Sequence, residues 1–142
     1  MIASPDVLQA IRAHGESGYP EEICGFLLGR IQDGTNVVTA VERVDNEQEA
    51  NRERRYLIPP DAFREAQRTA SEQDLDIVGI YHSHPDHPAQ PSATDLEQAT
   101  FSGYTYAIVS VEDGTARNIT AWQLAHDRSR FTEEPIRTEA PA

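Results

Sequence analysis

Asp76-Ile77-Val78-Gly79-Ile80-Tyr81-His82-Ser83-His84-Pro85 is the stretch on which the fold turns. Ile77, Val78, Ile80 and Tyr81 form an apolar run with no helical spacing, which predicts a central strand over Asp76 to Ser83. Downstream, Pro85 to Pro91 holds three prolines and reads as a loop. A helix is predicted over Ser92 to Phe101, a strand over Tyr104 to Val111, a turn at Glu112-Asp113-Gly114 and a last strand over Arg117 to Leu124. The polar residues from Thr132 to Ala142 read as a frayed tail.

Upstream, Ser4 and Pro5 supply an N-cap and a first-turn proline for a helix over Ser4 to Glu16. Ile23 to Ile31 is a second continuous apolar strand. Asp33-Gly34 signals a hairpin, and Asn36 to Val44 returns. Asp45 to Arg55 is a polar loop carrying Arg52, Arg54 and Arg55, followed by a short strand at Tyr56-Leu57-Ile58 and a helix over Asp61 to Gln73. The order α-β-β-β-α-β-α-β-β predicts an α/β fold, a single-domain mixed β-sheet flanked by helices. The domain spans 1–130, with a flexible tail at 131–142.

The 142 residues suffice for one domain with its own core. No apolar run reaches the length of a membrane span, and Met1 to Gln9 lacks the basic head and apolar stretch of a secretory signal. The net charge of −12 argues against nucleic acid or an anionic membrane surface as partner. The single cysteine, Cys24, excludes an intrachain disulfide and a Cys-based zinc knuckle. It reads as a small core residue, and the expected location is the cytoplasm. All 12 basic residues are Arg, which we attribute to base composition rather than to escape from lysine tagging.

His82-Ser83-His84-Pro85 followed by Ser92-Ala93-Thr94-Asp95 is the densest chemical signal. Alternate residues of a strand share a face, so His82 and His84 can converge on one point, and Asp95 can join them if the loop folds back. Two imidazoles, one carboxylate and a position left for water make a catalytic zinc pattern. The same residues have a plainer reading, because Ser92-x-x-Asp95 is also a helix N-cap with an acid at N3, where the helix dipole favours negative charge. A zincin His-Glu-x-x-His is absent, and one cysteine cannot furnish a deaminase Pro-Cys-x-x-Cys. His14 on the first helix reads as solvated, His87 borders the proposed site without being a ligand, and His126 lies near the tail.

Glu22-Ile23-Cys24-Gly25-Phe26-Leu27-Leu28-Gly29, then His82-Ser83-His84-Pro85 and Ser92-Ala93-Thr94-Asp95, resembles the signature of the JAMM (MPN-plus) metallopeptidases, most of all the stand-alone prokaryotic ones. The resemblance spans residues 1 to about 125. It implies a cytidine-deaminase-like JAMM/MPN fold and one Zn2+ per chain held by His82, His84 and Asp95. Glu22 is implied as the general base, with Glu21 as the competing candidate, and Ser92 as the group that steadies the oxyanion or the water. The activity implied is hydrolysis of the amide bond after the C-terminal Gly-Gly of a ubiquitin-like or sulfur-carrier protein, by a glutamate-activated water at zinc. The alternatives are an isopeptidase that removes ubiquitin-like modifiers from lysines and a non-catalytic MPN scaffold. No insertion is long enough for the second zinc-bearing loop of the ubiquitin-chain-specific relatives. Arg52, Arg54 and Arg55 read as a solvated loop, with a grip on an acidic carrier surface as the alternative.

Overall fold

The structure is a computed structural model that describes residues 1–46, 52 and 56–138. Its elements are β1 (Ile2–Ala3), α1 (Pro5–Gly18), β2 (Cys24–Gln32), β3 (Thr35–Val44), α2 (Pro60–Glu72), β4 (Asp76–Pro85), α3 (Ala93–Gln98), β5 (Thr105–Glu112), β6 (Thr115–Leu124) and β7 (Phe131–Glu134). The strands form one mixed sheet in the order β1-β3-β2-β4-β5-β6-β7, with β1–β3 and β4–β5 parallel and the other pairs antiparallel. Beta4, with its two histidines, is therefore central, as its apolar sequence predicts. No helix among the described residues is long and apolar enough to cross a membrane.

The β2–β3 and β5–β6 hairpins follow from their turn residues. Asp33 and Gly34 at φ 51 and 76, and Asp113 and Gly114 at φ 50 and 82, supply the paired left-handed conformations that match the twist of the flanking strands. Ser4 caps α1 through its side chain, which accepts from Val7 N, and Pro5 occupies the first turn.

The sheet separates two cores. Ile11 and Val7 of α1 pack with Leu27, Tyr81 and Val109 on one face, while Ala66 and Ala70 of α2 pack with Phe26, Ile80 and Tyr106 on the other. Alternation along β4 then assigns its end: His82 and His84 share the face of Ile80, and Ser83 shares the face of Tyr81. A Cβ on Gly15 of α1 would lie 3.8 Å from that of Ser83, in agreement.

Four sequence expectations are corrected. Tyr56-Leu57-Ile58 forms no strand; Leu57 N donates to the Asn46 side chain at 3.0 Å, and Tyr56 and Ile58 pack on the core of the α2 face. Alpha3 ends at Gln98 instead of Phe101, because Phe101 turns in to stack on Tyr104 and to place its N–H on the Tyr106 hydroxyl at 3.0 Å. Where the sequence reads as a frayed tail, Phe131–Glu134 pairs with β6, and the Met1 ammonium meets Glu134 Oε2 at 2.9 Å; residues 139–142 lie outside the described ones. His14 is buried, not solvated, with Nδ1 2.8 Å from the Tyr81 hydroxyl. Arg54 and Arg55 of the basic cluster also lie outside the described residues.

Candidate metal centre

The site is assembled from three stretches. Beta4 delivers His82 and His84, whose Nε2 atoms lie 3.1 Å apart. The first turn of α3 delivers Asp95, with Oδ1 3.2 Å from His82 Nε2 and Oδ2 3.0 Å from His84 Nε2. The donor atoms of the three lie within 4.8 Å of one another. The capping reading of Ser92 and Asp95 holds alongside Asp95's place beside the histidines: Ser92 Oγ accepts from Asp95 N at 3.0 Å, and Asp95 Oδ2 accepts from Ser92 N at 2.8 Å, a complete capping box. The cap fixes the carboxylate, and the fixed carboxylate faces the histidines.

The donor set fits a divalent cation. His84 Nδ1 lies 2.8 Å from the carbonyl oxygen of Pro88, which can only accept, so Nδ1 carries a proton and Nε2 is the nitrogen left to face Asp95 or a metal. Burial raises Asp95, but the charge of His82 and hydrogen bonds from His82, His84 and Ser92 N hold it well below the usual carboxylate range. Burial lowers His82 below its ordinary basicity, which favours neutral imidazole; for His84 burial is outweighed by its bonds to Asp95 and Pro88, and the net shift is upward. Two ring nitrogens and a carboxylate directed at a common point repel unless a proton or a metal lies between them.

Glu22 immediately precedes Ile23 and β2. Its N–H donates to Arg52 O at 2.6 Å, and its carbonyl accepts from Asn46 Nδ2 at 3.0 Å. It is 4% exposed, and its Oε1 has no hydrogen-bond partner among the described residues. Burial pushes its carboxyl up to about 8, against a smaller lowering by His84. Glu22, His84 and Ser92 line one cavity of about 350 Å³ with His87, Pro88, Gln90, Pro91 and Thr94. The exposed His87 borders this cavity, as the sequence suggests. Cys24 is buried with its thiol pushed up to about 12 by desolvation, the environment of a core residue rather than a nucleophile.

Sequence reasoning missed three contributors. Ser83 Oγ accepts from Ile23 N at 2.9 Å, tying the residue after Glu22 to the residue between the histidines. Strand alternation could have exposed it, since a hydroxyl turned into an apolar core needs a partner. Tyr56 stacks on His82, with ring centroids 4.7 Å apart and planes at 26°, and shields it from solvent. Asn46 bridges Glu22 and Leu57. No local pattern announces the last two.

Comparison with known proteins places the chain in a family. The chain is 37% identical over 129 residues to a desampylase of Haloferax volcanii, covering 88% of each. It is 28% identical over 136 residues to the CysO-cysteine peptidase of Mycobacterium tuberculosis, covering 96% of this chain and 89% of that one. The solution structure of a protein from Salinibacter ruber superposes with a TM-score of 0.81 at 56% identity, over 99% of this chain and 93% of that one. The family of prokaryotic homologues of the JAB domain matches residues 4–125, so that the central strand, its histidines and the capped aspartate all fall within the match, and the chain belongs to that JAMM-type family.

Proposed function

We propose that the protein is a zinc-dependent metallopeptidase that hydrolyses the amide bond after the C-terminal Gly-Gly of a ubiquitin-like or sulfur-carrier protein. The observation that carries this reading is a carboxylate oxygen of Glu22 with no partner among the described residues, lining the same cavity as His84 of the His82–His84–Asp95 cluster. His82, His84 and Asp95 would hold one zinc ion, which supplies Lewis acidity, able to bring water from a pKa of 15.7 to about 7 and to polarise a carbonyl.

Glu22 takes the proton of the attacking water and returns it to the leaving nitrogen; burial raises its carboxyl above the ordinary carboxylate value, which strengthens it as a proton acceptor. Ser92 accepts from Asp95 N, so its hydroxyl proton is free to donate to the oxyanion, a contact worth about 2.7 to 4 kcal/mol in comparable sites. Tyr56 excludes water from the His82 side.

The names of the desampylase and the CysO-cysteine peptidase denote removal of a small protein or cleavage at a carrier's cysteine, which supports this substrate class. The desampylase in particular favours the isopeptidase reading as the alternative, and that reading uses the same residues. A cytoplasmic place of action accords with the lone buried thiol. The test is to incubate the purified protein with a ubiquitin-fold carrier extended beyond Gly-Gly by one amino acid, and with the same carrier joined to a lysine. Mass spectrometry should show release at Gly-Gly, abolished by a chelator and restored by zinc. Intact substrates of both kinds, with a protein that binds no zinc, would refute the proposal.

A further inference from the structure

The loop from Asp86 to Pro91, between β4 and α3, carries the carbonyl that orients His84, yet it has little hydrogen bonding of its own. Pro88 and Pro91 lack N–H groups. Gln90 N closes a tight turn onto Pro88 O at 2.8 Å, the same oxygen that meets His84 Nδ1. His87 N also donates to His84 O at 3.5 Å, and the other anchors come from elsewhere in the fold. At its start, Asp86 N donates to Val111 O at 2.7 Å, and the Asp86 carboxylate accepts from Tyr19 Oη at 2.7 Å and Asp113 N at 2.9 Å. In its middle, the buried Ala89 presents its carbonyl to the Thr120 hydroxyl at 2.6 Å, and Trp122 Nε1 donates to that hydroxyl at 2.8 Å.

The direction of this last chain is fixed by chemistry. The indole N–H can only donate and the Ala89 carbonyl can only accept, so the single proton of Thr120 must point to Ala89. Thr120 also stands in the same row of the sheet as His82: His82 is in register with Ile108 of β5, and Ile108 with Thr120 of β6. The loop thus leaves β4, passes β5 and is fastened to β6 at the residue beside Pro88.

We propose that Thr120 and Trp122 are positioning residues for His84: their hydrogen-bond chain holds the Pro88–Ala89 segment so that the Pro88 carbonyl keeps the His84 ring proton on Nδ1 and Nε2 directed at the metal position. This rests on the reading of His84 as a ligand. Neither residue belongs to the His82–His84–Asp95 cluster; both act through the loop.

Thr120→Val keeps the β-branched shape and removes the hydroxyl, and Thr120→Ser keeps the hydroxyl. In metal-free protein, nitrogen-15 NMR of the histidine rings should show His84 Nδ1 fully protonated in the wild type and in T120S, and only partly so in T120V. Zinc affinity, from competition with a chromophoric chelator, should fall about tenfold in T120V, the lower end for partners outside the ligand set, and recover in T120S. Unchanged Nδ1 protonation in T120V overturns the proposal, as does an equal loss in T120S, which would assign the effect to packing. A wild-type protein that keeps Nδ1 protonated yet binds no zinc would instead refute the ligand reading. If T120V does not fold, Trp122→Phe applies the same tests, since it frees the Thr120 proton from its enforced direction.

Discussion

The N–H of Ile23 donates to the hydroxyl of Ser83 across 2.9 Å, joining residues sixty positions apart in the chain. Ser83 N in turn donates to Ile23 O at 3.1 Å. The pairing carries the β2–β4 ladder one step past Cys24, with a side chain taking the place of a backbone acceptor, and it sets Glu22 against the histidines. Ser83→Ala would leave a buried N–H without its acceptor, at a cost of about 1 to 3 kcal/mol. The expected outcome is a lower urea midpoint and reduced turnover with zinc content unchanged. Wild-type stability and turnover in this variant would remove Ser83 from the positioning of Glu22.

Glu22→Gln preserves shape and removes the proton carrier. Zinc binding should be retained and turnover should fall by about 10² to 10⁴, the range of general acid–base contributions. Metal analysis alongside single-turnover kinetics checks both halves. Activity within a few-fold of wild type would shift the role of base to another residue, Glu21 first.

Asp95 serves the helix cap and the cluster together, and two substitutions separate the duties. Asp95→Asn keeps an oxygen for the Ser92 N–H but loses the charge, so zinc affinity should collapse while metal-free stability changes little. Asp95→Ala loses both, adding about 1 kcal/mol of capping to the deficit in metal-free protein. For the wild type, zinc at a hundred times its dissociation constant should add about 2.7 kcal/mol of stability, lost on chelation. Differential scanning calorimetry with and without chelator reads each of these terms. Tight zinc binding by D95A would exclude the aspartate as a ligand.

His14 is buried against Tyr81, and its basicity is lowered from 6.5 to about 4, chiefly by burial and further by Arg43, against a smaller opposing pull from Asp45. The unfolded chain therefore binds a proton that the folded chain refuses between these values. Its contribution to stability is complete above pH 6.5 and is lost as pH falls toward about 4, with a slope of up to about 1.4 kcal/mol per pH unit. Urea midpoints measured across this window should fall less steeply for His14→Gln than for wild type. Parallel slopes would mean that His14 is protonated in the folded protein.

The central strand, the two Asp-Gly hairpins and the capped start of α3 were legible because each rests on a short-range rule: an apolar run, paired positive φ angles, a hydroxyl three residues before an acid. Beta1 and β7 were not. Ile2–Ala3 is too short to show a period, and Phe131–Glu134 has a polar sequence that is a strand only because β6 offers it an edge. His14 was misread for a related reason. A helical position shows its polarity in the sequence, but whether a tyrosine waits opposite it is a property of packing.

The sequence by itself determined that His82 and His84 share a face and that Asp95 starts a capped helix, and its resemblance to a known family implied that Glu22 belongs with them. Only the tertiary structure decided that the aspartate turns to the histidines while still capping its helix, that Tyr56 covers one ring, and that Thr120 and Trp122 reach the loop behind the other. The physical reason is that backbone preference and side-chain alternation act over a few residues, whereas the register of Cys24 against His82, and of Ile108 against Thr120, is selected by the burial of two whole cores on either side of the sheet.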